Sequence, residues 1–136
     1  MFSIKLLPAK TPRTANAEIV IGNHREIIEV PLQYWRREQY RAQWREAIGR
    51  LQSGHASSCL ITSMVDPAKA NFLMWWPMWR EGETVFIQNQ LLFMDSIQGR
   101  FDERNPYRHI PVRATKSEDG EKVSEWSIPL QTIRSL

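Results

Sequence analysis

The sequence predicts an α+β chain in which a mainly antiparallel sheet, or two packed sheets, carries one principal helix at about residues 36–51. Three observations predict it. Apolar residues recur at helical spacing in a single long segment before the final residues, Arg36 to Leu51. From Ser57 onward the apolar pattern shortens to a period of two or to continuous runs, which marks strands. The 136 residues, 42% apolar and 24% charged, suit one domain, 1–136, large enough to bury its own core.

The elements follow in order. Residues 1–7 hold at most a short first strand. Residues 8–16 contain two prolines and no large apolar side chain, and read as a loop or loose N-terminal arm. Glu18 to Ile21 and Glu26 to Val30 are β-branched runs flanking Gly22-Asn23-His24-Arg25, the pattern of a hairpin, and Pro31 closes the second run. In the helix, Tyr40, Trp44, Ala47, Ile48 and Leu51 form one apolar stripe. Glu38/Arg41 and Glu46/Arg50 are spaced for intrahelical ion pairs, and Ser53-Gly54 ends the helix.

Ser58 to Val65 is a strand stopped by Asp66-Pro67. Asn71 to Trp79 and Thr84 to Met94 are two long strands joined through Arg80-Glu81-Gly82-Glu83. Alternation places Phe72, Met74, Trp76 and Met78 on one face and Leu73, Trp75 and Trp79 on the other. A strand apolar on both faces is sandwiched between two sheets or between a sheet and a helix. Pro77 places its part of that strand at an edge or a bulge. Ser96 to Tyr107 is polar and reads as an exposed loop. His109 to Thr115 and Glu121 to Ile128 form a last hairpin around Asp119-Gly120, and Leu130 to Leu136 a short terminal helix.

Charge is concentrated. Five arginines between residues 36 and 50 (Arg36, Arg37, Arg41, Arg45, Arg50) face two glutamates, and that difference equals the whole net charge of +3. Arg37, Arg41 and Arg45, four residues apart, line one flank of the helix beside Tyr40 and Trp44. With Trp75, Trp76 and Trp79 they would make a phosphate-binding, base-stacking surface for single-stranded nucleic acid. The competing reading buries the tryptophans and lets the arginine stems cover the edge of the core. Aromatics on both faces of one strand favour the second reading, so nucleic acid is disfavoured as a partner.

The chemistry of catalysis is sparse. No Gly-rich phosphate loop, nucleophile elbow or zinc-binding His pair is present. On one extended strand His55 and Cys59 would stand about 13 Å apart, beyond hydrogen-bond reach, although a bend would bring them together. The acidic sets Glu81/Glu83, Asp102/Glu103 and Glu118/Asp119/Glu121 all fall in turns or loops, where carboxylates are ordinarily solvated. No catalytic residue, cofactor or metal is expected. A single cysteine and the lack of an 18-residue apolar run point to a reducing compartment, with the cytoplasm as the default.

The order of motifs carries further information. Pro31-Leu32-x-Tyr34-Trp35 leads into the helix with Tyr40 and Trp44. Ser63-Met64, Asp66-Pro67, Asn71-Phe72, Gln88-Asn89, Leu92-Phe93, Asp119-Gly120 and Ser124-Glu125-Trp126 then follow. This series, over roughly residues 26–130, resembles CdiI-type immunity proteins of contact-dependent growth inhibition systems, in particular the kind paired with a 16S rRNA-cleaving CdiA toxin. The resemblance implies a β-sandwich core with one long helix, similar in shape to Whirly domains. It also implies a non-enzymatic partner role: binding the C-terminal toxin domain of a cognate CdiA protein, an RNase, and blocking it.

The exposed, mixed-charge segments Glu81-Gly82-Glu83 and Gly99 to Arg104 are the interface candidates, with Glu81, Glu83, Arg100, Asp102, Glu103 and Arg104 as the named residues. Inhibitors that cover a basic RNA-binding surface are expected to be acidic, and this chain is basic. Either these acidic groups dock while the arginine-bearing helix faces away, or the cognate toxin presents an unusual surface.

Overall fold

The structure, a computed structural model, describes residues 1–117 and 119–134. The chain opens with an antiparallel meander of three strands, β1 (Phe2–Thr11), β2 (Thr14–Ile21) and β3 (His24–Pro31). Residues 8–16 are therefore not a loose arm; they form the distal half of the β1–β2 hairpin. Two register irregularities between Leu6 and Thr11 absorb Pro8, and β1 is an edge strand, where a residue without an N–H is tolerated. The inward side chains there are Ala15 and Ala17, fully buried but too small to mark a strand in the sequence. The second hairpin turns at Gly22-Asn23 as expected. Gly22 has φ 61° and its successor a negative φ, which is the II′ arrangement that suits strand twist.

Helix α1 (Arg37–Gln52) matches the predicted segment to within a residue at each end. Its start is fixed by Gln39, whose Oε1 accepts from the Arg36 backbone N–H at 2.8 Å. Its buried stripe is Tyr40, Gln43, Trp44, Ala47 and Leu51. The expected pair Glu46/Arg50 does not form; both residues turn to Tyr107. The Tyr107 hydroxyl donates to Glu46 at 2.6 Å, and the Arg50 guanidinium lies 3.9 Å from the ring centroid.

The second sheet contains β4 (Ser57–Ser63), β5 (Phe72–Glu81), β6 (Thr84–Gln88), β7 (Gln90–Phe93) and β8 (Glu125–Pro129). Its order is β4-β5-β6-β8, with β7 also paired to β5. The strand expected over Thr84 to Met94 is thus divided in two at Asn89. Both pieces keep one register on β5, Met78 opposite Ile87 and Trp75 opposite Gln90. The ladder lapses between them beside Pro77, which has no N–H to donate. Pro77 lies in a central strand, opposite Cys59 of β4, so it marks an interruption and not an edge.

The expected hairpin of His109 to Thr115 with Glu121 to Ile128 reduces to one bridge, Lys116 with Lys122. Residues 111–117 are largely exposed and offer no apolar face, whereas Trp126 and Ile128 pair with Ile87 and Val85 of β6. Short helix α2 (Leu130–Arg134) closes the chain, and the last two residues of the predicted terminal helix lie outside the described residues.

Around Trp76 to Trp79, sheet β4–β8 is covered on both sides, as the two-faced apolar pattern requires. On one side Trp76 packs against Trp126 at 5.5 Å, and Trp126 stacks on His24 of β3 at 4.4 Å. On the other, the segment after β7 lies across Trp79, whose indole N–H donates to the Pro111 carbonyl at 2.9 Å. Phe101 and Tyr107 of that segment belong to the core, so Ser96 to Tyr107 is an anchored loop and not a wholly polar one. Helix α1 runs along the free edge of β4, the placement that protects an edge strand from foreign pairing.

Candidate protein-docking surface

Loop residues 100–104 form a ridge between two depressions. Phe101 points inward and is 4% exposed; it stacks on His109 with ring centroids 4.9 Å apart. The Asp102 N–H donates to Nε2 of His109 at 2.9 Å, which requires that nitrogen to be unprotonated. Burial, and then the neighbouring Arg108, lower the His109 pKa in the direction that keeps it neutral. Asp102 Oδ1 in turn accepts from the Arg104 and Asn105 N–H groups at 3.1 and 3.2 Å, a local Asx turn that shapes the ridge.

The larger depression, about 570 Å³, lies between this ridge and the Asp66-Pro67-Ala68 turn after β4. Tyr34 spans it, donating from its hydroxyl to Glu103 Oε2 at 2.7 Å, and that hydrogen bond raises the Tyr34 pKa. Both charge signs meet there: Asp66, Asp102 and Glu103 against Arg100, Arg104 and Arg108, with Arg108 3.7 Å from Asp102. The smaller depression, about 440 Å³, separates Glu103 and Arg104 from Trp35, Gln39 and Glu46. Four of the six interface candidates, Arg100, Asp102, Glu103 and Arg104, are therefore brought together. Tyr34, Asp66 and Arg108 join them. In the sequence, Tyr34 marks only the approach to the helix and Asp66 only the stop of the strand before it.

Glu81 and Glu83 sit elsewhere. They occupy the β5–β6 turn, whereas Asp66 lies beyond Ser63, the partner of Met74. Seven residues of extended β5 separate Met74 from Glu81, about 23 Å. Glu81 accepts from Arg113 at 3.2 Å, and Arg113 is itself held by both oxygens of Glu125 at 2.6 and 2.8 Å. Glu83 lies 3.9 Å from Arg80. Glu118 lies outside the described residues.

The arginine flank of α1 is a third surface. Arg37 donates to the Leu7 carbonyl of β1 at 2.9 Å, while Arg41 and Arg45 border a groove of about 440 Å³ floored by Ile4, Leu6, Trp44 and Ile48. The base-stacking platform proposed for it is missing. Trp75, Trp76 and Trp79 are 0, 1 and 7% exposed, and the Trp44 indole N–H is committed to the Ile61 carbonyl at 2.7 Å. The tryptophans are core, as the competing reading held.

Nucleophile chemistry fares no better. Cys59 is fully buried, and burial pushes its thiol pKa well up, away from a reactive thiolate. His55 faces the Arg50 carbonyl instead. Among the described residues, no group of three His, Cys, Asp or Glu side chains is placed to hold a metal ion, and no helix is long and apolar enough to cross a membrane.

Residues 30–136 match the family model described as CdiI N-terminal domain. The chain is 34% identical over 117 residues to Immunity protein CdiI from Enterobacter cloacae subsp. cloacae, covering 86% of this chain and 80% of the relative. It also superposes on a chain of the solved CdiA-CT/CdiI toxin and immunity complex from Enterobacter cloacae. That match has a TM-score of 0.83 and 31% identity, over 99% of this chain and 94% of that one.

Proposed function

The chain belongs to the CdiI family of immunity proteins, and on that premise we propose that it binds the C-terminal nuclease domain of a cognate CdiA protein and neutralises it. Membership makes it a binding protein and not an enzyme. The finer reading is that it covers the toxin's active site or substrate surface, and that the toxin is an RNase. The single observation that supports active-site coverage is the ridge of Arg100, Asp102, Glu103 and Arg104 between two depressions, its arginines exposed, its carboxylates half-buried and Phe101 buried below.

Such a ridge suits insertion into a cleft. Its mixed charges suit a partner surface that is not uniformly basic, which accommodates the net charge of +3. An interface of standard size, about 800 Å² on each partner, accommodates the ridge with its neighbours Tyr34, Asp66 and Arg108. The Glu81–Glu83 turn stands at the far end of β5 and outside that footprint. Action in the cytoplasm of the protected cell is in keeping with the unpaired Cys59.

Co-expression with the CdiA C-terminal domain encoded beside the chain tests the reading. Copurification and restored growth of cells expressing that domain are expected. Toxicity unrelieved by the chain, with no copurification, would overturn it.

A further inference from the structure

The two sheets are unequal, and the mismatch leaves an apolar face bare. Along β5 the residues Phe72, Met74, Trp76 and Met78 share one side. Trp76 and Met78 are 1 and 0% exposed beneath the β1–β3 meander, whereas Met74 and Phe72 are 39 and 42% exposed. On β7, Leu91 pairs with Met74 and Phe93 with Phe72, extending the same face, and these two are 45 and 48% exposed. The Phe72 and Phe93 rings touch, with centroids 5.8 Å apart. The meander covers the Glu81 half of this face and stops.

We propose that Phe72, Met74, Leu91 and Phe93 form the apolar anchor of the toxin-binding surface, an inference that rests on the immunity reading above. Area decides the kind of occupant. Four such side chains, each a little under half exposed, present about 350 Å² of contiguous apolar surface. That is less than half of one side of a standard heterologous interface, the proportion expected of its desolvated centre. An obligate homodimer interface would bury upwards of about 1,000 Å² per subunit, roughly 65% of it apolar, which is nearly twice this patch.

Position agrees with area. A depression of about 440 Å³ runs from Phe72 past Lys69 to Asp66, and Asp66 also lines the charged cleft beside Glu103. The apolar patch and the charged ridge are thus one continuous surface, an aromatic centre with a polar rim. Its occupant is a folded protein domain with an apolar socket bordered by charges of both signs.

The experiment uses the full chain and the CdiA C-terminal domain encoded beside it, with affinity read by calorimetry and folding by circular dichroism. Phe93→Ser and Leu91→Gln, each judged only if its spectrum is native, are expected to weaken binding by about thirtyfold or more at a central aromatic anchor and less at Leu91. Ile27→Ser, on the outer face of β3 and 49% exposed, serves as the control and should leave affinity unchanged. If the wild-type chain binds but both patch variants bind within twofold of it, this inference falls while the immunity reading stands. If the wild-type chain fails to bind, the immunity reading falls first. A stable dimer of the free chain that Phe93→Ser converts to monomer would assign the patch to a second copy and overturn the proposal.

Discussion

The side chain of Gln43 pairs with Ile61 as a neighbouring strand would. Its Oε1 accepts from the Ile61 N–H at 2.9 Å, and its Nε2 donates to the Cys59 carbonyl at 2.8 Å. One helical amide thus satisfies two outward groups of edge strand β4. Trp44 takes the Ile61 carbonyl and Tyr40 the Met64 N–H, at 2.7 and 3.0 Å. Replacing Gln43 by Leu keeps the volume but strands both backbone groups in the core. A loss of about 3 kcal/mol in urea unfolding is expected. A loss under about 0.5 kcal/mol would show that the edge is closed by packing alone.

His109 makes the ridge sensitive to pH. Its pKa is lowered in the fold by burial and by Arg108, with Asp102 opposing. Between that value and the unfolded value of about 6.5, the unfolded chain binds the extra proton. Stability attributable to this residue is therefore full above pH ~6.5 and declines as pH falls through the folded value. Protonation also removes the acceptor for the Asp102 N–H, loosening residues 101–105. The difference in urea midpoint between wild type and His109→Phe should shrink from pH 7.5 to pH 5.5. A constant difference would contradict this.

Arg113 and Glu125 show the same direction of pH dependence in a more acidic range. Hydrogen bonds from Arg113, opposed by burial and helped by Gln88, lower the Glu125 pKa. The stabilisation is present above the unfolded carboxylate pKa, about 4.3, and fades as pH drops through the lower folded value. Glu125→Gln should cost about 1–2 kcal/mol at pH 7, measured by urea unfolding, because a bidentate, partly buried acceptor is lost. It should cost little at pH 2.5. Equal costs at both pH values would rule out the ion pair as the source.

Charge reversal separates the two acidic candidates. Asp102→Lys with Glu103→Lys should reduce affinity for the toxin domain by at least tenfold and change the association rate with salt. Glu81→Lys with Glu83→Lys should leave affinity within about twofold. The reverse ranking in surface plasmon resonance would move the interface to the β5–β6 turn.

Legibility in the sequence followed the size of the side chains involved. Helix α1 was readable because Tyr40, Trp44, Ala47 and Leu51 are spaced by helical geometry alone. The β1–β2 hairpin was not, because Ala15 and Ala17 carry little apolar signal and become core only when a second layer covers them. The gap at Asn89 depends on Pro77, twelve residues away, which no local pattern reports. Alternation along β5 placed Phe72 and Trp76 on the same side but is silent on where the opposing sheet ends. The charged ridge was readable as exposed and mixed in sign, whereas its meeting with Tyr34 and Asp66 is a product of the fold.

Titrating the purified chain into the active CdiA C-terminal domain, with the domain's activity as the readout (RNA cleavage, under the function proposed above), tests the central claim most directly. Cleavage should fall in proportion to the chain added and reach background near molar equivalence. Undiminished cleavage at a tenfold excess would contradict neutralisation by binding.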